Sequence, residues 1–216
     1  MKKFSVEGYF VIGLALCFFL IVGFILLSSG KSASQESLLS ISEITEQDHL
    51  KGSKEAAVSI IEYSDLQCPA CAYYSGFSKQ LEKDFGDSVV FVYRHFPLIT
   101  IHLNSISAAM SAEAAGKQGK FWEMHDLLFA SQQSWSKSDK VEPIFEGYAL
   151  EIGLDINKYR DDVKSVEVAS KIQGDMLKGN LAGVKATPTF MINGKKITNP
   201  KNYEAFKALI SQEVSR

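Results

Sequence analysis

This chain has few cysteines and no excess of positive charge. Cysteine occurs three times in 216 residues, at Cys17, Cys68 and Cys71, which excludes a scaffold held by many disulfides. Lys and Arg number 23 against 25 Asp and Glu, a formal net charge of −2. No run of Lys/Arg is longer than the pairs Lys2-Lys3 and Lys195-Lys196, so nothing in the charge pattern points to nucleic acid. His95, His102 and His125 are candidates to join the cysteines as metal ligands, but their spacing matches no zinc pattern. No metal and no dissociable cofactor is expected. What the chain does have is apolar material, with 46% of its residues hydrophobic and 22% charged. That suits one globular domain with an ample core, plus an appendage.

The appendage is N-terminal. Lys2-Lys3 precede an apolar run from Tyr9 to Leu27. At about 1.5 Å per residue, the run approaches the ~30 Å hydrocarbon core of a bilayer. Residues 1–8 are then a cytoplasmic N-terminus, 9–27 a transmembrane signal-anchor and 28–53 a polar extracytoplasmic linker. The competing reading is a cleaved signal peptide, whose apolar core is usually about 7–15 residues. Small residues at Ser28-Ser29-Gly30 and Ser32-Ala33-Ser34 leave cleavage open. Cys17 follows the bulky Leu16 within the run, a poor setting for lipid attachment and a good one for an inert thiol. The translocated domain then carries one dithiol and no spare thiol, an economy that fits an oxidising compartment.

The domain, residues 54–216, is organised around Ile60-Ile61-Glu62-Tyr63-Ser64-Asp65-Leu66-Gln67-Cys68-Pro69-Ala70-Cys71. The apolar run from Ala57 to Tyr63 predicts a buried strand. Cys-x-x-Cys follows, and then a helical pattern. Thiols spaced this way close on each other in a tight turn, usually the first turn of a helix. The unpaired N–H groups and the dipole there stabilise negative charge. A thiol so placed loses its proton at roughly 3.5–7.5, against about 8.5 in free Cys. The thiolate is the species that attacks disulfides, so the stretch predicts dithiol–disulfide exchange. Pro69 falls in the first turn, where its missing N–H costs nothing. Glu62 has two readings. It is either an edge residue with its side chain in water, or a buried acid that exchanges a proton with the deeper cysteine. Asp65, in a loop, reads as solvated or capping.

Tyr73/Tyr74, Phe77, Leu81 and Phe85 form one helical stripe ended by Gly86, and Ser88 to Arg94 predicts a second strand. A strand–helix–strand unit of this length implies a parallel pair. Helical spacing recurs over 105–116, 120–131, 141–152 and 161–178, an inserted helical subdomain. Thr189 to Ile192, Asn193-Gly194 and Lys195 to Ile197 predict a hairpin. Asn199-Pro200 opens a final helix with Tyr203, Phe206 and Ile210 on one face. The proline of Thr187-Pro188 is either an edge-strand entry or a cis peptide, and sequence physics alone does not choose.

Assembled, the chain resembles the DsbA-like thiol–disulfide oxidoreductases of the thioredoxin superfamily. The resemblance is carried by Glu62 to Cys71, Tyr93-Arg94-His95-Phe96-Pro97-Leu98, Gly119 to Phe129 and Gly183 to Gly194. It implies an α/β thioredoxin fold with a helical insertion at about residues 99–180, between a β-α-β half and a β-β-α half. It implies Cys68 as exposed nucleophile, Cys71 as buried resolving thiol and Glu62 as the buried acid. Thr187-Pro188 matches the cis-proline loop, which packs on the dithiol and offers backbone hydrogen bonds to an extended substrate. One departure matters. The best-known DsbA proteins carry a histidine between the cysteines that stabilises the thiolate. Here the dipeptide is Pro69-Ala70, and oxidising strength depends on that stabilisation.

The resemblance further implies a domain tethered outside the cytoplasmic membrane. Its clients would be unfolded or reduced secreted or envelope proteins, and a membrane redox partner would restore its disulfide. The leading expectation is disulfide donation through Cys68-Pro69-Ala70-Cys71. The alternatives are an extracytoplasmic reductase or isomerase, and a non-enzymatic domain that binds extended peptides or a copper ion.

Overall fold

The computed structural model describes residues 17–24 and 43–216. The chain divides into two units, Met1–Ser40 and Ile41–Arg216. Residues 17–24 of the first are helical, and Cys17 there is exposed. The rest of the expected span 9–27, and most of the linker, lie outside the described residues. Among the described residues no helix is long and apolar enough to cross a membrane.

The second unit is built on β1 (His49–Lys51), β2 (Val58–Ser64), β3 (Val89–His95), β4 (Thr189–Ile192) and β5 (Lys195–Lys196). They form one sheet in the order β1-β3-β2-β4-β5. The connections explain its mixed sense. A helical crossover returns β3 parallel to β2, from Val58 opposite Val89 to Ser64 opposite His95. The Asn193-Gly194 turn, with φ of 48° and 74°, folds β5 back antiparallel to β4. β4 in turn runs antiparallel to β2. β1, inside the span read as linker, pairs antiparallel with β3. β2 therefore has a neighbour on each side, and all of its residues except Ser59 are buried. No water-facing edge is available to Glu62, so that reading of it falls.

α1 (Pro69–Tyr74) and α2 (Phe77–Phe85) follow β2. The single stripe expected after Cys71 is thus interrupted at Ser75-Gly76. Ser75 N–H closes α1 on the Cys71 carbonyl at 2.9 Å, and Gly76 is a poor helix former. The insertion contains α3 (Ser105–Gly116), α4 (Phe121–Ala130), α5 (Gln132–Trp135), α6 (Glu142–Glu151), α7 (Ile156–Asp162) and α8 (Val166–Leu181). α9 (Tyr203–Val214) ends the chain. The one helix expected over 161–178 is in fact two. The Asp155 side chain caps α7 by accepting from Asn157 and Lys158 N–H, and Ser165 caps α8 by accepting from Val168 N–H. Such caps satisfy donors that a helix start leaves unpaired, and hydrophobic spacing does not register them.

One face of the sheet packs Ile60, Phe91 and Phe190 with Phe77, Leu81 and Phe206. The other packs Ile61, Tyr63, Val92 and Met191 with Phe96 and Val184. A third cluster joins Cys68, Cys71 and Tyr93 to Met124, Leu128, Trp135 and Phe145 of the insertion. Ahead of β1, a buried ion pair holds the chain to β3. Arg94 donates to Asp48 through Nε at 2.8 Å and Nη2 at 2.9 Å, and to the Glu43 carbonyl at 2.6 Å. Burial pushes the Asp48 carboxyl up, but Arg94 overrides it and holds it at about 2.

α8 lies close to the sheet at Gly179. A Cβ there would sit 2.6 Å from Phe96 Cδ2 and 3.0 Å from Tyr63 Cδ1. Both rings are packed in the core and cannot swing away. Gly179→Ala is therefore expected to lower stability by about 1–3 kcal/mol, the usual range for an overpacked core. Urea unfolding checks this; an unchanged midpoint would show that the helix has room to move.

Candidate active site

The site forms where β2 ends. Cys68 has extended backbone angles and caps α1, with Pro69 in the first turn. Cys68 N–H donates to the Asp65 carbonyl at 2.9 Å, and Asp65 N–H donates to Cys71 Sγ at 3.5 Å. Asp65 is buried rather than solvated, because three donor groups converge on its carboxylate. Gln67 N–H reaches Oδ1 at 2.8 Å. Leu98 N–H and His102 Nδ1 reach Oδ2 at 2.8 and 2.7 Å. One side chain thus joins the dithiol turn to the loop after β3.

The helical insertion clamps the same turn. Gln132 Nε2 donates to the carbonyls of Leu66 at 2.8 Å and Cys68 at 3.1 Å. Gln67 accepts from Asn104 N–H at 2.7 Å and donates to the Ser136 carbonyl at 2.6 Å. Sequence reasoning missed Gln132 and Asn104, and weighed His102 only as a metal ligand rather than as a partner of Asp65. They belong to no motif, and only the fold brings them to the turn. Asp65 did carry a signal, a carboxylate three residues before the first cysteine.

Cys68, Cys71, Glu62, Thr187 and Pro188 come together as expected from their motifs. Both cysteines are free thiols. Cys68 is 7% exposed and Cys71 0%, with Pro69 and Ala70 exposed between them. The Thr187-Pro188 peptide is cis, and Cys68 Sγ lies 3.4 Å from the Thr187 carbonyl oxygen. Asn199 Nδ2 donates to the Pro188 carbonyl at 2.7 Å and holds this loop.

The two thiols are displaced in opposite directions. The Cys71 thiol, by hydrogen bonding, is the largest influence holding Cys68 down at about 5; burial opposes it, and Thr187 and the N–H groups of Cys71 and Ala70 help. Burial pushes Cys71 well above an ordinary thiol, and Cys68 and Glu62 add to the effect. Stabilisation that a histidine would supply at Ala70 thus comes from elsewhere in the turn. Glu62 is 2% exposed, and burial raises its carboxyl to about 7, with Ser64 opposing and Cys68 reinforcing. The arrangement offers a thiolate at Cys68, a neutral thiol at Cys71 and a carboxylic acid below them.

The histidines do other work. His102 pairs with Asp65, His95 Nε2 lies 3.0 Å from Glu113, and buried His125 pairs with Asp126 at 2.9 Å. Among the described residues no group of three or more His, Cys, Asp or Glu side chains is placed to hold a metal.

A mixed sheet carrying this turn opposite a cis-proline loop defines a thioredoxin-class domain. The chain belongs to the thioredoxin family, whose sequence model matches residues 44–212. Its structural neighbours are DsbA-type thiol–disulfide oxidoreductases. A cysteine-to-alanine double variant of alpha-DsbA1 from Wolbachia pipientis is 25% identical, with a TM-score of 0.72 covering 83% of this chain and 96% of that one. A thioredoxin-like oxidoreductase from Silicibacter pomeroyi is also 25% identical, with a TM-score of 0.66 covering 84% and 98%. In sequence, 165 residues are 38% identical to Na(+)/H(+) antiporter NhaA 3 of Salinispora tropica, covering 76% of this chain and 24% of that protein. The chain therefore spans about a quarter of the length of this curated relative.

Two pH dependences follow. A thiol held at about 5 in the fold and about 8.5 when unfolded favours the folded dithiol form. The benefit is complete above pH 8.5 and is lost as pH falls through 5, about 2–3 kcal/mol between pH 7 and 5. Urea unfolding of the reduced chain is expected to show this gain, and Cys68→Ser to remove it. Glu62 has the opposite sign, because its folded form keeps the proton to about 7. Its contribution falls by about 3 kcal/mol as pH rises from 4.5 to 7. Glu62→Gln is expected to flatten that decline; an unaltered slope would mean the carboxyl ionises freely.

Proposed function

We propose that this chain donates disulfides to secreted or envelope proteins through Cys68-Pro69-Ala70-Cys71, tethered to the outer face of the cytoplasmic membrane by residues 9–27. The observation that carries the reading is the opposite displacement of two thiols in one turn. A stabilised Cys68 thiolate makes the dithiol the favoured form, so the disulfide is readily given up. Ala70 removes one source of that stabilisation, and Cys71, Thr187 and the backbone N–H groups replace it.

Oxidation of a client starts from the Cys68–Cys71 disulfide. A client thiolate attacks Cys68 Sγ, and the electron pair of the broken S–S bond passes to Cys71 Sγ. Cys71 takes a proton from Glu62. A second client thiolate then attacks the client sulfur of the mixed disulfide. The client leaves oxidised, and Cys68 leaves as a thiolate. The Thr187-Pro188 loop offers its backbone to an extended client beside Cys68. A quinone-linked membrane partner takes the two electrons from the dithiol, and tethering raises the local concentration of the pair. A domain that only held peptides or copper would have no use for an acid beneath the dithiol.

The Cys68–Cys71 couple is expected to lie well above the potential of thioredoxin, about −270 mV, and to be oxidised at rest in cells. Cys71→Ser is expected to accumulate mixed disulfides with extracytoplasmic clients, and Cys68→Ser to abolish turnover. A thioredoxin-like potential with a resting dithiol would instead make the chain a reductase or isomerase. A Cys68→Ser protein with full function would end the enzymatic reading.

A further inference from the structure

We infer that Tyr93 and Ser64 complete the acid site: their hydroxyls form a cradle that receives the negative charge when Glu62 gives its proton to Cys71. The inference rests on the proton relay proposed for Glu62 and assigns positioning roles to two residues to which the sequence reading gave none.

Parallel pairing sets Glu62 of β2 opposite Tyr93 of β3. Side chains alternate along a strand, so Ser64 shares the face of Glu62. All three residues are buried. Glu62 Oε1, Ser64 Oγ and Tyr93 OH each lack a hydrogen bond of normal geometry. Buried polar groups are satisfied in the great majority of cases, so three such oxygens on one patch of one sheet face call for an explanation. The Ser64 hydroxyl favours the charged form of both Glu62 and Tyr93, against the burial that dominates each. The titratable groups around Glu62 are Tyr93 from β3, Cys68 from the turn, and Cys71 and Tyr74 from α1. Asp65 also acts on Tyr93, whose ring meets those of His95 at 5.1 Å and His125 at 4.9 Å. His95 faces Glu113 and His125 faces Asp126. None of the groups acting on Glu62 itself is a Lys, Arg or His, so hydroxyl donors are the groups that can stabilise its carboxylate.

The proton balance closes within the site. When Cys71 leaves the disulfide, Glu62 transfers its proton to the sulfur. The charged carboxylate then draws the two side chains in, accepting from Ser64 O–H while Ser64 Oγ accepts from Tyr93 O–H. On re-oxidation Cys71 returns the proton to Glu62 as its sulfur attacks, and the side chains relax back. Tyr93 and Ser64 never touch the reacting sulfurs; they set how readily Glu62 lets go.

The test uses the full chain with Tyr93→Phe and Ser64→Ala. Infrared spectra follow the protonated carboxyl band of Glu62, identified by its loss in Glu62→Gln. The rate at which a small dithiol reduces the disulfide is followed across pH in parallel. Each substitution is expected to move the Glu62 midpoint upward from about 7 by about 1–2 pH units, the worth of one lost hydrogen bond to a charged group. The rate profile is expected to move with it. A double variant is expected to shift by less than the sum, because the hydroxyls act in series. Profiles unmoved in both single variants, with Glu62→Gln still altering the rate, would overturn the cradle alone. A rate profile unmoved by Glu62→Gln would overturn the relay as well.

Discussion

A thiol and a carboxylic acid share one water-free space at the end of the central strand, and the rest of the site follows from that. Neither Cys71 nor Glu62 ionises readily there, because burial penalises the charged form of each. Negative charge has one favourable address, the Cys68 sulfur at the mouth of the turn. Cys68 keeps slight access to solvent and a hydrogen bond from its partner thiol. The opposite displacement of the two thiols therefore follows the difference in their burial.

Buried carboxyls in this fold meet different fates according to what faces them. Asp48 meets a two-pronged Arg94 and stays ionised down to about pH 2. Asp65 meets two backbone N–H groups and His102, and serves as the knot between the dithiol turn and the loop after β3. Glu113 lies between His49 and His95, which pull its carboxyl down against burial. Glu62 meets hydroxyls and thiols and keeps its proton to about pH 7. Asp48 is held by a guanidinium and Asp65 by backbone N–H groups and an imidazole, whereas burial keeps the proton on Glu62.

The insertion does more than cover the sheet. Gln132 and Asn104 reach across from helical segments to hold Leu66, Gln67 and Cys68 by their polar groups. A turn pinned on both sides presents its sulfur in one orientation. The cost of unpaired amides in a buried setting gives each of these contacts weight. They also couple the rigidity of the turn to the integrity of a subdomain far away in the chain.

Much of this was legible in the order of residues. Strand periodicity, the Cys-x-x-Cys turn, the Asn193-Gly194 hairpin and the Thr187-Pro188 loop are local, and local geometry is written in neighbouring side chains. The break at Ser165 was missed because a cap is a single hydrogen bond and leaves no stripe. Glu62 stayed ambiguous because burial is a property of neighbours: only with β3 on one side and β4 on the other does its face close. Asp65 looked solvated because its partners Leu98 and His102 lie more than thirty residues away. The cis geometry before Pro188 was likewise left open by local physics. The sequence by itself determined that two thiols share one tight turn at the end of a buried strand, because that geometry is local. Tertiary structure alone decided how acidic each of them is, because acidity depends on the water that distant segments exclude and on the donors they bring.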